Sequence, residues 1–235
     1  MSLLLVPIVA LAFAVEATLG FGATVVAVSL GALVVDVQTL LPAFVPLNLV
    51  LSSLIVWRDR AHVDGRLLIR RVLPAMAVGL PLGLLAFAKL DAGMLGRVLG
   101  GVVLLLALRE LLGLGRRVGA MGRAAALVAA GAVHGALGSG GPLVVWSLGD
   151  QTGAPRAMRA TLSALWLVLN LVLVATWAWQ GRIGVESARG SALCAGGLVV
   201  GAVVGELLHR RVDAARFARA VWLALAAVGA LLLLR

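Results

Sequence analysis

The chain has few of the residues with which a soluble protein faces water. Only 13% of its 235 residues are charged, aromatic residues make up 5%, and tyrosine is absent. The single cysteine, Cys194, excludes a disulfide within one chain and a thiolate metal site. The three histidines are scattered along the sequence, so we expect neither a bound metal nor a cofactor. Hydrophobic residues make up 62% of the chain, a composition typical of integral membrane proteins.

Long apolar runs separate the few charges. A helix needs about 20 residues to cross about 30 Å of hydrocarbon, and the runs are continuous rather than alternating, which favours helices over a barrel. The sequence therefore predicts an all-α integral membrane protein of about eight transmembrane helices that form one membrane domain. The predicted segments are 2–35, 38–57, 67–88, 93–114, 124–149, 160–180, 189–209 and 214–234.

Positive charge is concentrated in the short links between the apolar runs. The formal net charge is +10, but arginines beside apolar segments set membrane topology and contact anionic lipid headgroups. We therefore expect membrane lipids as partners and no nucleic acid. With both termini in the cytoplasm, twelve of the 20 arginines and lysines face the cytoplasm and eight face the other side. This bias predicts a multi-pass protein with cytoplasmic termini.

The two halves of the sequence resemble each other. At a shift of 122 residues, 39–97 align with 161–219 without a gap, and 17 of these 59 pairs are identical. The matches of less common residues carry the argument, above all Asn48 with Asn170 and Trp57 with Trp179. We therefore predict two four-helix repeats, 1–115 and 116–235. Four crossings in each repeat make the repeats parallel, a relation that changes if one segment is a re-entrant hairpin.

The first segment of each repeat is predicted to be broken. Residues 2–35 in one helix would measure about 51 Å, too long for a single crossing, and Gly20 and Gly22 interrupt them. The second repeat has the matching run from Gly138 to Pro142 at a shift of 118. A helix that restarts after a break points its N-terminus, with about half a positive charge, into the protein, where its N–H groups can hold an anion. The alternative role of these glycines is close packing of helices.

Polar residues inside apolar spans are costly to bury and are therefore candidates for function. Glu16 and His134 occupy equivalent places one turn before the breaks and are the candidates for proton coupling, with capping of the broken backbone as the alternative. Asn48 and Asn170 can bind an anion or join helices, and Arg159 can form a fork to an oxyanion or anchor at the interface. The predicted substrate-binding residues are Gly20, Gly22, Asn48, Gly138, Ser139, Gly140, Gly141, Arg159, Thr161 and Asn170.

Three stretches of the sequence together resemble the sulfite exporter TauE/SafE family of bacterial membrane transporters. They are Gly20-Phe21-Gly22, the run from His134 to Pro142, and Arg159-Ala160-Thr161. The resemblance covers nearly the whole chain. It implies a secondary transporter that moves sulfite, sulfoacetate or another small sulfur-containing anion, and it maps the second glycine run and Arg159 onto the family's motif positions. Proton coupling is a further hypothesis.

Two other classes of function compete with a transporter. A passive anion channel would use the same site without coupling. A membrane-embedded hydrolase would use Ser139 with His134, but Leu137 stands where the nucleophile motif of intramembrane serine proteases has glycine, so no enzymatic activity is expected. The close-packing glycines of the third and seventh segments predict a helix contact, either within one chain or in a homodimer.

Overall fold

The computed structural model describes residues 3–114, 119–148, 154–211 and 213–234. All regular secondary structure in these ranges is helical. The ten helices, here numbered in chain order, are α1 (Leu5–Leu19), α2 (Ala23–Gly31), α3 (Val37–Asp59), α4 (Gly65–Lys89), α5 (Ala92–Leu111), α6 (Ala120–Leu137), α7 (Gly141–Leu148), α8 (Pro155–Trp179), α9 (Val185–Arg211) and α10 (Ala214–Leu234).

Seven of these helices are long and apolar enough to cross a membrane, namely α3, α4, α5, α6, α8, α9 and α10. Large apolar side chains such as Leu105 and Leu223 point outward on them, as expected where a helix faces lipid. The protein is therefore a multi-pass membrane protein built from helices. The predicted first long segment is two short helices instead, α1 of 15 residues and α2 of 9.

Both predicted breaks are present, and each follows a glycine in the left-handed region. Gly20 ends α1 with φ 84°, and its N–H donates to the Glu16 carbonyl at 2.6 Å. Gly138 ends α6 with φ 64°, and its N–H donates to the His134 carbonyl at 2.7 Å. This conformation costs a residue with a Cβ about 1–2 kcal/mol, so glycine allows each helix to end here.

The chain turns back after each break instead of continuing across the membrane. A Cβ on Gly31, at the end of α2, would lie 3.5 Å from the side chain of Leu5, at the start of α1. In the second half, Gly140 packs on the Ala130 carbonyl oxygen, and Ser147 of α7 lines a cavity together with Ala120, at the start of α6. The pairs α1–α2 and α6–α7 are therefore helical hairpins, and the prediction that each segment crosses once is wrong.

The long arm of each hairpin packs in parallel against a helix of the other half. A Cβ on Gly205 of α9 would lie 2.6 Å from the Ala14 carbonyl oxygen of α1. One turn earlier Gly201 packs on the Ala10 carbonyl, and Gly79 of α4 packs in the same way on Val128 of α6. Such contacts need residues without a side chain. The glycines of the third and seventh predicted segments thus serve contacts within one chain.

Helices α3 and α8 run antiparallel through the centre. Asn48 of α3 pairs with Asn170 of α8, and Asp59 at the end of α3 pairs with Arg159 near the start of α8. We call the end of the molecule that holds Asp59 and Arg159 the Asp59 face. The other end is the Gln38 face, where the Gln38 side chain donates to the Leu90 carbonyl at 2.9 Å. Helix α1 begins and α10 ends at the Gln38 face. The first hairpin reaches into the centre from the Gln38 face, and the second reaches into it from the Asp59 face.

Candidate functional site

The turns of the two hairpins enclose a polar cavity beside the middle of α3 and α8. A Cβ on Gly138, at the second turn, would lie 2.9 Å from the Thr24 side chain of the first hairpin. The cavity volume is about 20 Å³, on the order of the space that one water molecule needs. It is lined by Glu16, Gly22, Thr24, Val25, Asn48, His134, Gly138, Ser139, Gly141, Trp166 and Asn170.

Eight of the twelve residues predicted from the sequence line this cavity. They include both residues proposed for proton coupling and both asparagines. The remaining four, which are Gly20, Gly140, Arg159 and Thr161, lie outside its lining. Thr24, Val25 and Trp166 line the cavity but were not predicted.

A chain of side-chain hydrogen bonds crosses the cavity. The Asn170 amide donates to Asn48 Oδ1 at 2.6 Å, and the Asn48 amide donates to Glu16 Oε2 at 2.7 Å. No hydrogen bond of ordinary geometry satisfies Glu16 Oε1 or Asn170 Oδ1 among the described residues, although the Ala23 N–H lies near the Glu16 carboxylate and the His134 ring lies near the Asn170 side chain. Buried polar atoms in this state are uncommon in folded proteins and call for a physical explanation. Here they border a cavity that can admit water or a ligand.

His134 stands on the other side of the same cavity. Its ring is 1% exposed and lies near the Asn170 side chain, although no hydrogen bond of ordinary geometry reaches either ring nitrogen from the described residues. The ring stacks on Trp166 with the centroids 5.6 Å apart, and Trp166 Nε1 donates to the Gly20 carbonyl at 3.0 Å. Trp166 thus joins the two hairpins. The only hint of it in the sequence is its alignment with another aromatic residue, Phe44.

Two helix N-termini converge on the cavity. Helix α2 starts after Gly22, and α7 starts at Gly141. A Cβ on Gly141 would lie 3.3 Å from Phe21, so the two turns are in direct contact. Each N-terminus carries about half a positive charge, and the Ala23 N–H at the start of α2 lies within reach of the Glu16 carboxylate. Together with the Ser139 hydroxyl and the asparagine amides, they form an environment that favours an anion.

Arg159 is placed differently from the prediction. It is 4% exposed and faces protein groups: Nη2 donates to Asp59 Oδ2 at 3.0 Å, and Nη1 donates at 3.0 Å both to Glu206 Oε2 and to the Ala17 carbonyl. In this conformation its guanidinium is therefore bound to two carboxylates. Asp59, one of these two charged partners, was not predicted as a site residue.

The other three predicted residues outside the lining have structural contacts. Thr161 Oγ1 accepts a hydrogen bond from the Asp64 backbone N–H at 2.9 Å. A Cβ on Gly20 would lie 2.8 Å from the Arg159 Cα atom, and Gly140 packs on the carbonyl of Ala130. The two glycines let the hairpin turns pack against α8 and α6, and Thr161 joins α8 to the residue before α4.

A family model described as sulfite exporter TauE/SafE matches residues 5–232. The chain belongs to the sulfite exporter TauE/SafE family. The match runs from the first residue of α1 into the last turn of α10, so it includes both hairpins and the cavity between them. TauE/SafE proteins are membrane transporters, which makes transport of an anion the general activity to expect of this chain. No curated protein and no solved structure matches the chain significantly.

Proposed function

We propose that this TauE/SafE protein is a secondary transporter of a small sulfur-containing anion. The substrate class is sulfite, sulfoacetate or another organosulfonate, and the membrane is the bacterial inner membrane. We place the binding site between the two hairpin turns. The observation that carries this proposal is the convergence of two helix N-termini, two asparagine amides and a serine hydroxyl on one buried cavity.

The cavity must expand to bind such an anion, because its volume of about 20 Å³ suits about one water molecule. The described conformation therefore leaves no room for the anion. Expansion is compatible with the fold, since the hairpin turns are joined mainly by glycine contacts and by the Trp166 hydrogen bond. An anion between the turns would take hydrogen bonds from the N-termini and from Asn48 and Asn170.

We propose that residues 1–115 and 116–235 are inverted repeats. Each half consists of one re-entrant hairpin followed by three long helices, an odd number of crossings that makes the second half enter from the opposite face. Equivalent contacts support the relation, since Gly205 packs on Ala14 of one hairpin and Gly83 packs on Ala132 of the other. Inverted repeats around a central site allow access to alternate between the two faces, which favours a carrier over a passive channel.

Glu16 and His134 are proposed to couple transport to protons. Both are buried, both line the cavity, and each has ring or carboxyl atoms without a hydrogen bond of ordinary geometry among the described residues. A carboxyl group in this place can bind a proton when the anion binds and release it when the anion leaves.

A flux screen on the purified protein in liposomes tests the proposed function. The anions are sulfite, sulfate, thiosulfate, taurine and sulfoacetate, each isotopically labelled. Saturable uptake of a sulfur oxyanion or sulfonate that increases with a proton gradient supports the proposal. Flux that does not saturate indicates a channel, and no flux of any of these anions refutes the substrate class.

Replacing Glu16 by Gln tests the coupling. Glutamine keeps the hydrogen bond from Asn48 but cannot take up a proton, so proton-driven accumulation should be lost while exchange of anion for anion continues. The measurement compares uptake under a proton gradient with exchange at equal pH on both sides. Unchanged gradient-driven uptake in Glu16→Gln would show that the proton is carried elsewhere.

A further inference from the structure

We propose that an ion-pair network at the Asp59 face is the gate that closes the cavity on that side. The network consists of Arg58, Asp59, Arg156, Arg159 and Glu206. It joins the end of α3, the start of α8 and the end of α9 through contacts of 2.6–3.2 Å. The proposal rests on the cavity as the transport site, but its test needs no substrate.

The centre of the network is withdrawn from water. Asp59 is 1% exposed, and its two carboxylate oxygens accept from Arg156 at 2.6 Å and from Arg159 at 3.0 Å. Arg58 contacts Glu206 at 3.2 Å at the rim. Charges this buried persist only with partners. Separating α3 from α8 at this face therefore requires several charged contacts to break together.

The network is in direct contact with the cavity wall. Arg159 donates to the Ala17 carbonyl, next to Glu16 of the cavity lining, and its backbone packs against Gly20 at the first hairpin turn. Trp166, two turns further along α8, lines the cavity and donates to the same Gly20. A path from the cavity to the Asp59 face thus passes the hairpin turn and then the Arg159 guanidinium.

Among the described residues, the other face has no equivalent set of charges at the matching positions. At a shift of 122 residues, Arg159 corresponds to Val37, Asp59 to Gly181 and Glu206 to Leu84. The Gln38 face is held instead by the Gln38 side chain, which donates to the Phe87 and Leu90 carbonyls. The two exits therefore differ in chemistry. Among the described residues, the network holds three guanidinium groups and two carboxylates, a net charge of +1 that can attract an anion leaving or entering there.

Cysteine accessibility tests the gate. The single Cys194 is replaced by alanine, and Ser139→Cys places a thiol in the cavity. A membrane-impermeant, positively charged methanethiosulfonate reagent is added to one side of sealed vesicles without substrate. In Glu206→Gln and Asp59→Asn, labelling from the Asp59 face should accelerate at least about tenfold, because each variant weakens a charged contact that favours the closed state. Labelling from the Gln38 face should not change.

The matched control is Glu186→Gln. Glu186 forms an exposed ion pair with Arg189 at 3.3 Å near the other face, and its loss should leave both labelling rates unchanged. Glu206 is partly exposed, and Glu206→Gln leaves the Asp59–Arg159 contact in place. This variant is therefore sufficient for the test if Asp59→Asn does not fold. No acceleration in Glu206→Gln, or equal acceleration from both faces, overturns the gate. Neither outcome bears on the flux screen.

A separate observation assigns the Asp59 face to the cytoplasm. Each hairpin begins and ends at the same face of the molecule. The arginines and lysines are therefore divided unevenly between the Gln38 face and the Asp59 face. Four described residues lie toward the Gln38 face, namely Lys89, Arg97, Arg182 and Arg189, and eleven lie toward the Asp59 face, namely Arg58, Arg60, Arg66, Arg70, Arg71, Arg109, Arg123, Arg156, Arg159, Arg216 and Arg219. Cytoplasmic loops carry the excess of positive residues.

We infer that α1 begins and α10 ends outside the cytoplasm, which is the reverse of the expectation from counting eight crossings. Thiol labelling at exposed positions between the helices tests this orientation directly. In intact cells expressing the Cys194→Ala protein, an impermeant thiol reagent should label Gln180→Cys, at the Gln38 face, and not His62→Cys, at the Asp59 face. Labelling of His62→Cys alone would overturn the assignment.

Discussion

The contact between the first hairpin turn and α8 leads to the sharpest stability prediction. Gly20 combines a left-handed backbone, φ 84°, with a close neighbour, since an added Cβ would lie 2.8 Å from Arg159 Cα and 3.1 Å from its Cγ. The conformation costs a residue with a Cβ about 1–2 kcal/mol. Overpacking against backbone adds about 1–3 kcal/mol. Gly20→Ala should therefore lower the free energy of unfolding by about 2–5 kcal/mol.

Gly181 provides the matched control. It has φ 70°, but no described atom lies within 4 Å of an added Cβ. Gly181→Ala should cost only the conformational part, about 1–2 kcal/mol. The assay is the apparent melting temperature of the two variants, purified in the same detergent. At about 2–4 °C per kcal/mol for a chain of this size, Gly20→Ala should melt at least about 2 °C below Gly181→Ala. Equal melting temperatures would refute the close approach of this turn to α8.

Further substitutions test the site and the packing. Asn48→Leu and Asn170→Leu should each weaken binding of the transported anion about 10- to 100-fold, the value of one hydrogen bond to a charged group, while Ser53→Ala on the exposed side of α3 leaves equilibrium binding of the labelled anion unchanged. Gly205→Ala should lower the melting temperature, because its Cβ would lie 2.6 Å from the Ala14 carbonyl oxygen. On the same helix, Gly196→Ala meets no described atom within 4 Å and should leave stability unchanged or raise it, since alanine favours a helix over glycine by about 1 kcal/mol.

The parts of the site that follow local rules were predictable from the sequence. Gly20 and Gly138 mark helix ends because a positive φ at a helix C-terminus favours glycine. The alignment of the two halves placed Asn48 and Asn170 at equivalent depths, and residues related by an internal symmetry often meet at its axis. Both asparagines do meet, at 2.6 Å.

The direction of the chain after each break was not predictable in this way. A glycine that ends a helix does not specify where the next helix points, because packing against distant helices decides that. The glycine contacts of Gly201 with Ala10 and of Gly79 with Val128 join residues far apart in the sequence. The pairing of Arg159 with Asp59 spans 100 residues, and neither side chain carries a local signal for it. The inferred orientation in the membrane differs from the predicted one for the same reason.

Anomalous diffraction tests the central claim most directly. Crystals of the protein soaked in selenite, the heavier analogue of sulfite, reveal the position of the anion by the signal of selenium. The account predicts a peak between the N-termini of α2 and α7, within hydrogen-bond distance of Ser139 and the Asn48 and Asn170 amides. A peak confined to the surface arginines, with none between the hairpin turns, would contradict it.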